Sequence, residues 1–220
     1  MHSNPLHSLP STRHPYFIWV LAPHLITNDA NIDYYYDFSQ SINEYQKVFE
    51  ELQLPWKWQP VTIHNYKTVI DEIAVTKNFQ TPIVLNLCDG DEVNGTPGVS
   101  VIHYLKEKGL IYTGSEPAFY DNTTSKIIMK ELFDKEGIAH AAWAPIHHSE
   151  QSLDGICENI GTPLIVKPAV SGGSMGLGVK NVVHNNEELQ ELVKELFNGY
   201  RGWDFTFGGL VAEQFINGPE

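Results

Sequence analysis

The sequence is most informative between residues 163 and 178, which read Pro-Leu-Ile-Val-Lys-Pro-Ala-Val-Ser-Gly-Gly-Ser-Met-Gly-Leu-Gly. The apolar residues 164–166 predict a short buried strand, and Lys167 follows them directly. Glycines and serines then form a loop whose backbone N–H groups can approach an anion closely, because glycine has no Cβ. The pattern is typical of a phosphate site. Taken alone, it fits a glycine-rich turn beside a solvated lysine equally well.

The length and composition are those of an ordinary globular protein. The chain has 220 residues, enough for one large domain or two smaller ones, and 42% of them are hydrophobic. Lysine and arginine number 14 against 27 acids, so the net charge of −13 argues against a nucleic-acid partner. No apolar segment has the length that a bilayer requires. We therefore expect neither a nucleic-acid nor a membrane partner.

Two features concern the surroundings of the protein. Cys88 and Cys157 are the two cysteines and lack the spacing of a metal site, which predicts a reduced, cytoplasmic protein. Residues 1–15 contain several histidines and prolines but few apolar side chains, so we expect a disordered tail.

Strand-like and helix-like segments alternate along the chain, which predicts an α/β architecture with mainly parallel sheets. The predicted strands are 17–21, 61–64, 82–87, 110–112, 139–146, 163–168, 178–183 and 210–215. The predicted helices are 42–52, 68–76, 99–108, 124–137 and 186–197. After the tail, we place an N-terminal α/β domain at 16–117, a central unit with the glycine-rich loop at 118–209, and the start of a further subdomain at 210–220.

Four segments occur in an order that a known superfamily shares. They are Tyr112-Thr113-Gly114-Ser115, Ser125-Lys126, the lysine and loop at 167–176, and the terminal run 213–220. Together they resemble the ATP-grasp superfamily, most closely its D-alanine–D-alanine ligase branch, over roughly residues 83–220. The resemblance implies a Rossmann-like pre-ATP-grasp domain followed by an incomplete ATP-grasp domain of the α+β type.

The resemblance also implies the residues that would bind ATP. Lys126 and Lys167 would contact phosphates. The loop residues Ser171, Gly172, Gly173, Ser174 and Met175 would fold over the β and γ phosphates. At the far end, Glu213 and the backbone of Gln214, Phe215 and Ile216 would contact adenine, and Glu220 would hold the ribose. Without the resemblance, Lys126 reads as an exposed helix lysine, and the terminal run reads as a strand followed by an Asn-Gly turn.

The chain departs from D-alanine ligases in the loop after the second buried strand. Asp89-Gly90 stands where the family has His-Gly, and 93–96 read Val-Asn-Gly-Thr where it has Gly-Glu-Asp-Gly. The first strand leads into Ala22-Pro23-His24 rather than a glycine-rich turn. We therefore expect a related carboxylate–amine ligase. Asp89, Asp91 and Glu92 are candidates for binding a substrate ammonium group, with a solvated acidic loop as the alternative.

The resemblance implies Mg²⁺ as well, held by carboxylates and an asparagine on strands that follow the end of this chain. We accordingly predict no metal ligand within it, and no catalytic residue is identified. The chain is expected to be the N-terminal portion of a longer ligase and inactive alone. The strand at 210–216 would then have an unprotected edge, which predicts pairing with another chain, such as a homodimer.

The implied reaction begins when ATP phosphorylates a substrate carboxylate. An amine then displaces phosphate from the acyl phosphate to form an amide. A nucleotide-binding or interaction protein that has lost turnover is one alternative. An unrelated α/β protein whose glycine loop is only a turn is the other.

Overall fold

The computed structural model describes residues 14–27, 36–171, 177–199, 204 and 206–218. The strands are Tyr16–Pro23 (β1), Trp56–Val61 (β2), Thr81–Asn86 (β3), Ile111–Tyr112 (β4), Trp143–Ile146 (β5), Leu164–Pro168 (β6), Val182–Val183 (β7) and Leu210–Gln214 (β8). The α-helices are Ser39–Glu51 (α1), Tyr66–Val75 (α2), Val99–Glu107 (α3), Pro117–Thr123 (α4), Lys126–Glu136 (α5), Ile156–Ile160 (α6) and Asn186–Phe197 (α7).

The first sheet is parallel and has the strand order β2-β1-β3-β4. Its central strand, β1, is buried on both faces: Val20 packs with Phe49 of α1, whereas Leu21 packs with Ile70 of α2 and Val101 of α3. Helices on both sides are what an apolar strand of a parallel sheet requires. The carboxyl ends of β1 and β3 consequently meet at one edge, where ligands bind in folds of this kind.

The second sheet is antiparallel and has the order β5-β8-β6-β7. Side chains alternate across β6 and β8, as the period of two in a strand demands. Leu164, Val166, Leu210 and Ala212 join the core formed with α6 and α7. On the opposite face, Val211 packs against Ile127 of α5. Helices cover both faces of this sheet too.

Two expectations about the second sheet are wrong. It is antiparallel, although the alternation of elements predicted mainly parallel sheets. Moreover, β8 lies between β5 and β6, so it does not have the unprotected edge that we predicted. Leu210, Val211 and Ala212 are all fully buried, and a strand buried on both faces fits the middle of a sheet. The predicted boundary at residue 210 therefore separates strands of one sheet, and a further subdomain stays a prediction.

Several local predictions were displaced or missed. The strand predicted at 61–64 is β2, which ends at Val61; a turn follows, in which Asn65 Oδ1 accepts a hydrogen bond from the Thr62 N–H (2.7 Å). The strand predicted at 178–183 is mostly a 3₁₀ turn, Val179–Asn181, before the two residues of β7. The short helices α4 and α6 were not predicted. The proposed tail falls outside the described residues apart from its last two positions.

Helix α5 forms as its sequence indicates. Ser125 precedes it in extended conformation, and Gly137 ends it with a φ of +67°, a left-handed value that glycine adopts at little cost. Among the helices that the structure describes, none has the length and apolar character needed to cross a membrane.

Candidate functional site

Three lysines and one glutamate meet between helix α5 and the second sheet. Lys126 and Lys130 lie four residues apart on α5 and so share one face of the helix. Lys167 of β6 pairs with Val211, and Glu213 follows two residues later on β8. Lys167 and Glu213 are therefore diagonal neighbours on the same face of the sheet.

The carboxylate of Glu213 is shared by two of these lysines. Lys130 Nζ lies 2.8 Å from Glu213 Oε2, and Lys167 Nζ donates to Glu213 Oε1. The side chain of Glu213 is only 14% exposed. A carboxylate so far out of water needs compensating charge, and the two ammonium groups supply it. Burial opposes ionisation of Glu213, but the hydrogen bonds from Lys130 and Lys167 outweigh it and hold the pKa of this carboxyl below its usual value.

Lys126 has no such carboxylate. Its Nζ lies 3.2 Å from both the carbonyl oxygen and the hydroxyl of Ser171, where the glycine-rich loop begins. None of the carboxylates in the described ranges forms a salt bridge with it. Burial, and then repulsion by Lys167, lowers the pKa of Lys126. An anion placed here would offset the repulsion by Lys167 and favour the charged form of Lys126.

The site is locally positive in an acidic protein. Three ammonium groups face one carboxylate, whereas the chain as a whole carries a formal charge of −13. The helix start is docked beside the loop by a backbone hydrogen bond of 2.8 Å from Lys126 N to Ala169 O. Lys126 and Lys167 are thus held in place by a helix and a strand.

Only some of the residues predicted to bind the nucleotide lie within the described ranges. Gly172, Gly173, Ser174, Met175 and Glu220 lie outside the described residues. Gln214, the last residue of β8, is exposed, as are Phe215 and Ile216, which follow the strand.

The backbone at the end of β8 is already partly engaged. Gln214 N donates to Ala142 O (2.9 Å), and Phe215 N donates to Pro163 O (3.0 Å). Of the three predicted adenine-binding N–H groups, two are therefore used inside the protein. An N–H contact to adenine would fall to Ile216.

A cavity of about 560 Å³ lies in the first unit, beside the ends of β1 and β3. Asp89 and Asp91, two of the three predicted substrate residues, line it, and their role in binding substrate stays a prediction. Aromatic side chains form much of the remaining wall, namely Tyr36, Phe38, Tyr45 and Tyr120. No lysine, arginine or histidine of the described residues forms a salt bridge with either aspartate. The cavity is therefore both acidic and aromatic.

Two other residues at this edge, Glu92 and Cys88, are poor candidates for contact or reaction with a substrate. Glu92, the third predicted substrate residue, does not line the cavity: its carboxylate accepts hydrogen bonds from Ser100 N (2.7 Å), Ser100 Oγ (2.8 Å) and Gly98 N (3.2 Å) at the start of α3. Cys88 does line it, but burial, with the charge of Asp89 adding, raises the pKa of this thiol well above its usual value. A thiol in that state is a poor nucleophile.

The loop at 88–98 is closed by tight backbone contacts. Gly90 N donates to Pro97 O at 2.9 Å, and a Cβ on Gly98 would lie 1.9 Å from the carbonyl oxygen of Gly90. Only glycine fits at position 98. This closure turns Asp89 and Asp91 toward the same cavity.

The same loop is hydrogen-bonded to Asp204, which lies in the predicted central unit at 118–209. Asn94 Nδ2 donates to Asp204 O (2.9 Å), and Asp204 N donates to Asn94 Oδ1 (2.8 Å). This reciprocal pair, the Asn94–Asp204 clasp, links two residues 110 positions apart in the sequence.

Sequence reasoning missed several of these residues. Lys130 had one available signal, its four-residue spacing from Lys126. The aromatic wall and the clasp had none, because their members are distant in sequence and meet only in the folded chain. Nowhere in the described ranges do three or more histidine, cysteine or acidic side chains come close enough to hold a metal ion.

Comparison with known proteins agrees with this architecture. The family model described as "D-ala D-ala ligase C-terminus" matches residues 132–219. A D-alanine–D-alanine ligase of Geobacter sulfurreducens is 30% identical over 116 residues, which cover 53% of this chain and 33% of that protein. The carbamoyl phosphate synthase large chain of Bifidobacterium longum is 27% identical over 125 residues, which cover 57% of this chain and 11% of that protein.

Solved structures show the same fold. The D-alanine–D-alanine ligase from Bacillus anthracis has a TM-score of 0.65 at 20% identity, covering 92% of this chain and 58% of that one. The same ligase complexed with ATP has a TM-score of 0.64 at 19% identity, and the match covers 94% of this chain and 58% of the ligase. The L-amino acid ligase from Bacillus licheniformis has a TM-score of 0.59 at 18% identity, and the match covers 94% of this chain and 48% of that ligase.

The predicted resemblance and fold class are therefore confirmed. Over part of its length the chain is similar in sequence to D-alanine–D-alanine ligases, and its fold is similar to that of the solved Bacillus anthracis ligase. It matches only 33% of the Geobacter relative's length and 58% of the Bacillus anthracis structure.

Proposed function

We propose that this chain is part of an ATP-dependent carboxylate–amine ligase similar to D-alanine–D-alanine ligases. The observation that carries the proposal is the cluster of Lys126, Lys130 and Lys167 around a single carboxylate, directly beside the start of the glycine-rich loop. A positive cluster of this kind suits a polyphosphate, since phosphoryl transfer depends mainly on positioned compensating charge. The ATP complex of the Bacillus anthracis ligase supports the choice of nucleotide.

In this proposal, the triphosphate lies along the face shared by α5 and β6. Lys126 and Lys167 contact phosphate oxygens, and the loop from Ser171 to Met175 covers the β and γ phosphates. Glu213 and the backbone from Gln214 to Ile216 hold the adenine, while Glu220 holds the ribose. Mg²⁺ would accompany the nucleotide with ligands outside the described residues, and we assign no step to it.

The cavity beside the ends of β1 and β3 would hold the substrate. Asp89 and Asp91 would bind the ammonium group of an amino acid or peptide there. The carboxylate of Asp91 also accepts hydrogen bonds from Asn94 N and Nδ2, both 3.1 Å long, which hold it in place. The aromatic wall would contact an apolar or cationic side chain, since ring faces attract both. D-alanine has too small a side chain to fill such a cavity, so we propose a bulkier substrate.

The proposed reaction has two balanced steps. A carboxylate oxygen of the substrate attacks the γ-phosphorus of ATP, and ADP leaves, which gives an acyl phosphate. The amine nitrogen of a second substrate then attacks the acyl carbon; phosphate leaves, the amine loses a proton, and an amide remains. A closed loop would protect the acyl phosphate from water.

The binding of ATP is tested by removing Lys167. We expect Lys167→Met to weaken ATP binding by about tenfold or more in isothermal titration calorimetry, because charge-assisted hydrogen bonds are worth about 1.5–3 kcal/mol. Lys194→Met is the matched control, since this lysine is exposed on α7 away from the cluster. Equal affinities for all three chains would contradict the proposal and favour a glycine loop that is merely a turn.

Turnover is a separate question. We expect the 220-residue chain alone to bind ATP without releasing ADP, and a coupled assay for ADP with a panel of amino acids checks this. Amide formation would show that the chain is active by itself. Binding without turnover, also in the full-length protein, would favour the alternative of a nucleotide-binding protein that has lost catalysis.

A further inference from the structure

Lys130 is not among the residues proposed to contact the phosphates of the nucleotide. It is nevertheless the one charged residue among those described that is buried, at 6% exposure of the whole residue. A lysine removed from water in this way needs a partner and a reason to be tolerated. Its only salt bridge within the described ranges is the one to Glu213.

The two partners of Glu213 differ in access. Lys130 uses Oε2 and its side chain is 8% exposed, whereas Lys167 uses Oε1 and its side chain is 25% exposed. Lys126 marks the side from which a ligand arrives, because its Nζ lies against Ser171 at the start of the loop. Lys130 is one helical turn further from the start of α5, behind Glu213.

A nucleotide phosphate near Lys126 would draw Lys167 away from Glu213. If Lys167 were the only partner of Glu213, its departure would leave a buried, unpaired carboxylate, which is strongly unfavourable. Lys130 removes that obstacle, since it stays hydrogen-bonded to the second oxygen. The carboxylate thus has one partner that can leave and one that cannot.

We infer that Lys130 is a positioning residue, the fixed counter-charge that keeps Glu213 ionised and in place while Lys167 exchanges it for a nucleotide phosphate. The inference rests on the proposed function, because the phosphate is that of ATP. Lys130 itself does not touch the nucleotide.

A double-mutant cycle with ATP as the probe tests this role. The four chains are the wild type, Lys130→Met, Glu213→Gln and the double variant, and calorimetry gives the dissociation constant of each. We expect Lys130→Met to weaken binding about tenfold, because Lys167 must then leave a carboxylate that has no other partner. In the Glu213→Gln background the same change should alter affinity by less than about twofold, since no buried carboxylate remains to be compensated.

A purely structural role predicts a different pattern. If Lys130 served only to pack α5, Lys130→Met would weaken binding equally in both backgrounds, which would overturn the inference. An unchanged affinity of Lys130→Met relative to the wild type would overturn it as well. Circular dichroism melting curves establish that each variant is folded before its affinity is measured.

A second measurement needs no nucleotide. In Lys167→Met the exchangeable partner is gone, as it would be in the complex, and ¹³C NMR can follow the titration of the Glu213 side chain. We expect Glu213 to remain ionised at neutral pH in this variant; a protonated Glu213 there would overturn the inference. This measurement tests the counter-charge role of Lys130 even if Lys130→Met does not fold. If the wild type failed to bind ATP, the proposed function and the exchange with phosphate would fall together, whereas the ionisation of Glu213 would still report whether Lys130 is its counter-charge.

Discussion

At the scale of single residues, Glu213 organises the candidate nucleotide site. It is mostly buried, and both of its oxygens are occupied by lysines from different elements. Hydrogen bonds from those lysines hold its pKa below the usual value despite burial. A group whose pKa is lowered on folding stabilises the fold above its ordinary pKa, and this contribution is lost as the pH falls through the folded value.

The pH dependence of stability should therefore change when Glu213 is replaced. We expect Glu213→Gln to lower the free energy of unfolding by about 3 kcal/mol at pH 7, because breaking a buried ion pair leaves unpaired charge behind. The difference from the wild type should shrink as the pH falls below about 4.5, where the carboxyl of the unfolded chain takes up a proton, and should vanish once the pH has passed the lower pKa of the folded carboxyl. Urea unfolding between pH 3 and 7 measures both quantities.

Glu195→Gln is the matched control for this experiment. Glu195 pairs with Lys180, and both side chains are more than half exposed. A surface pair of this kind contributes about 0–1 kcal/mol. A stability difference for Glu213→Gln that does not vary with pH would contradict the expectation, since it would indicate lost packing rather than lost charge.

At the scale of elements, the position of the candidate substrate cavity follows from where two strands end. β1 and β3 are parallel neighbours, so the segments that follow them emerge side by side. The loop that begins after β3 is then closed by Gly90 and Gly98, which brings both aspartates to the cavity. Burial raises the pKa of the Tyr36 hydroxyl in the wall, and the charges of Asp91 and Asp89 add to the rise.

The charge of this loop should determine affinity for an ammonium group. We expect amino acids with bulky side chains to shift the amide NMR signals of residues 88–98, and Asp89→Asn to weaken that binding about tenfold through loss of a charge-assisted hydrogen bond. Glu191→Gln, an exposed change on α7, should have no effect. Tighter or unchanged binding by Asp89→Asn would exclude an ammonium at this aspartate.

Elements were predicted from the sequence with uneven success, for identifiable reasons. α5 and α7 show a helical period and clear end signals, and both were predicted closely. β2 was displaced because its two tryptophans alternate with polar residues and did not form an apolar run. α6 was missed because five residues are too few to show a helical period.

At the scale of the whole molecule, the Asn94–Asp204 clasp joins the two units. The side-chain amide of Asn94 donates one hydrogen bond to the backbone of Asp204 and accepts one from it, as two paired strand residues do with their backbones. It joins the loop at 88–98, which contributes Asp89 and Asp91 to the cavity, to Asp204, which precedes β8 in the chain.

Loss of the clasp should be visible in hydrogen exchange. We expect Asn94→Ala to increase the exchange rate of the Asp204 amide by about fivefold or more, because a hydrogen bond worth about 1 kcal/mol protects it. Asn122→Ala is the control, as Asn122 is exposed at the end of α4. An unchanged rate would mean that Asp204 is protected by other contacts.

Association into a homodimer stays a prediction, without the open β8 edge that first motivated it. β8 has neighbours on both sides within the second sheet. Light scattering across a range of concentrations measures the oligomeric state directly.

By itself, the sequence determined the alternation of elements, the order of the lysine and glycine motifs, and hence the ATP-grasp resemblance. These are local properties, set by periodicity and by the chemistry of neighbouring residues. Only the tertiary structure decided that β8 is a central antiparallel strand, that Lys130 shares Glu213 with Lys167, and that aromatic residues surround the two aspartates. Each of these depends on contacts between segments far apart in the chain, and one sequence contains no signal for them until the sheets are formed.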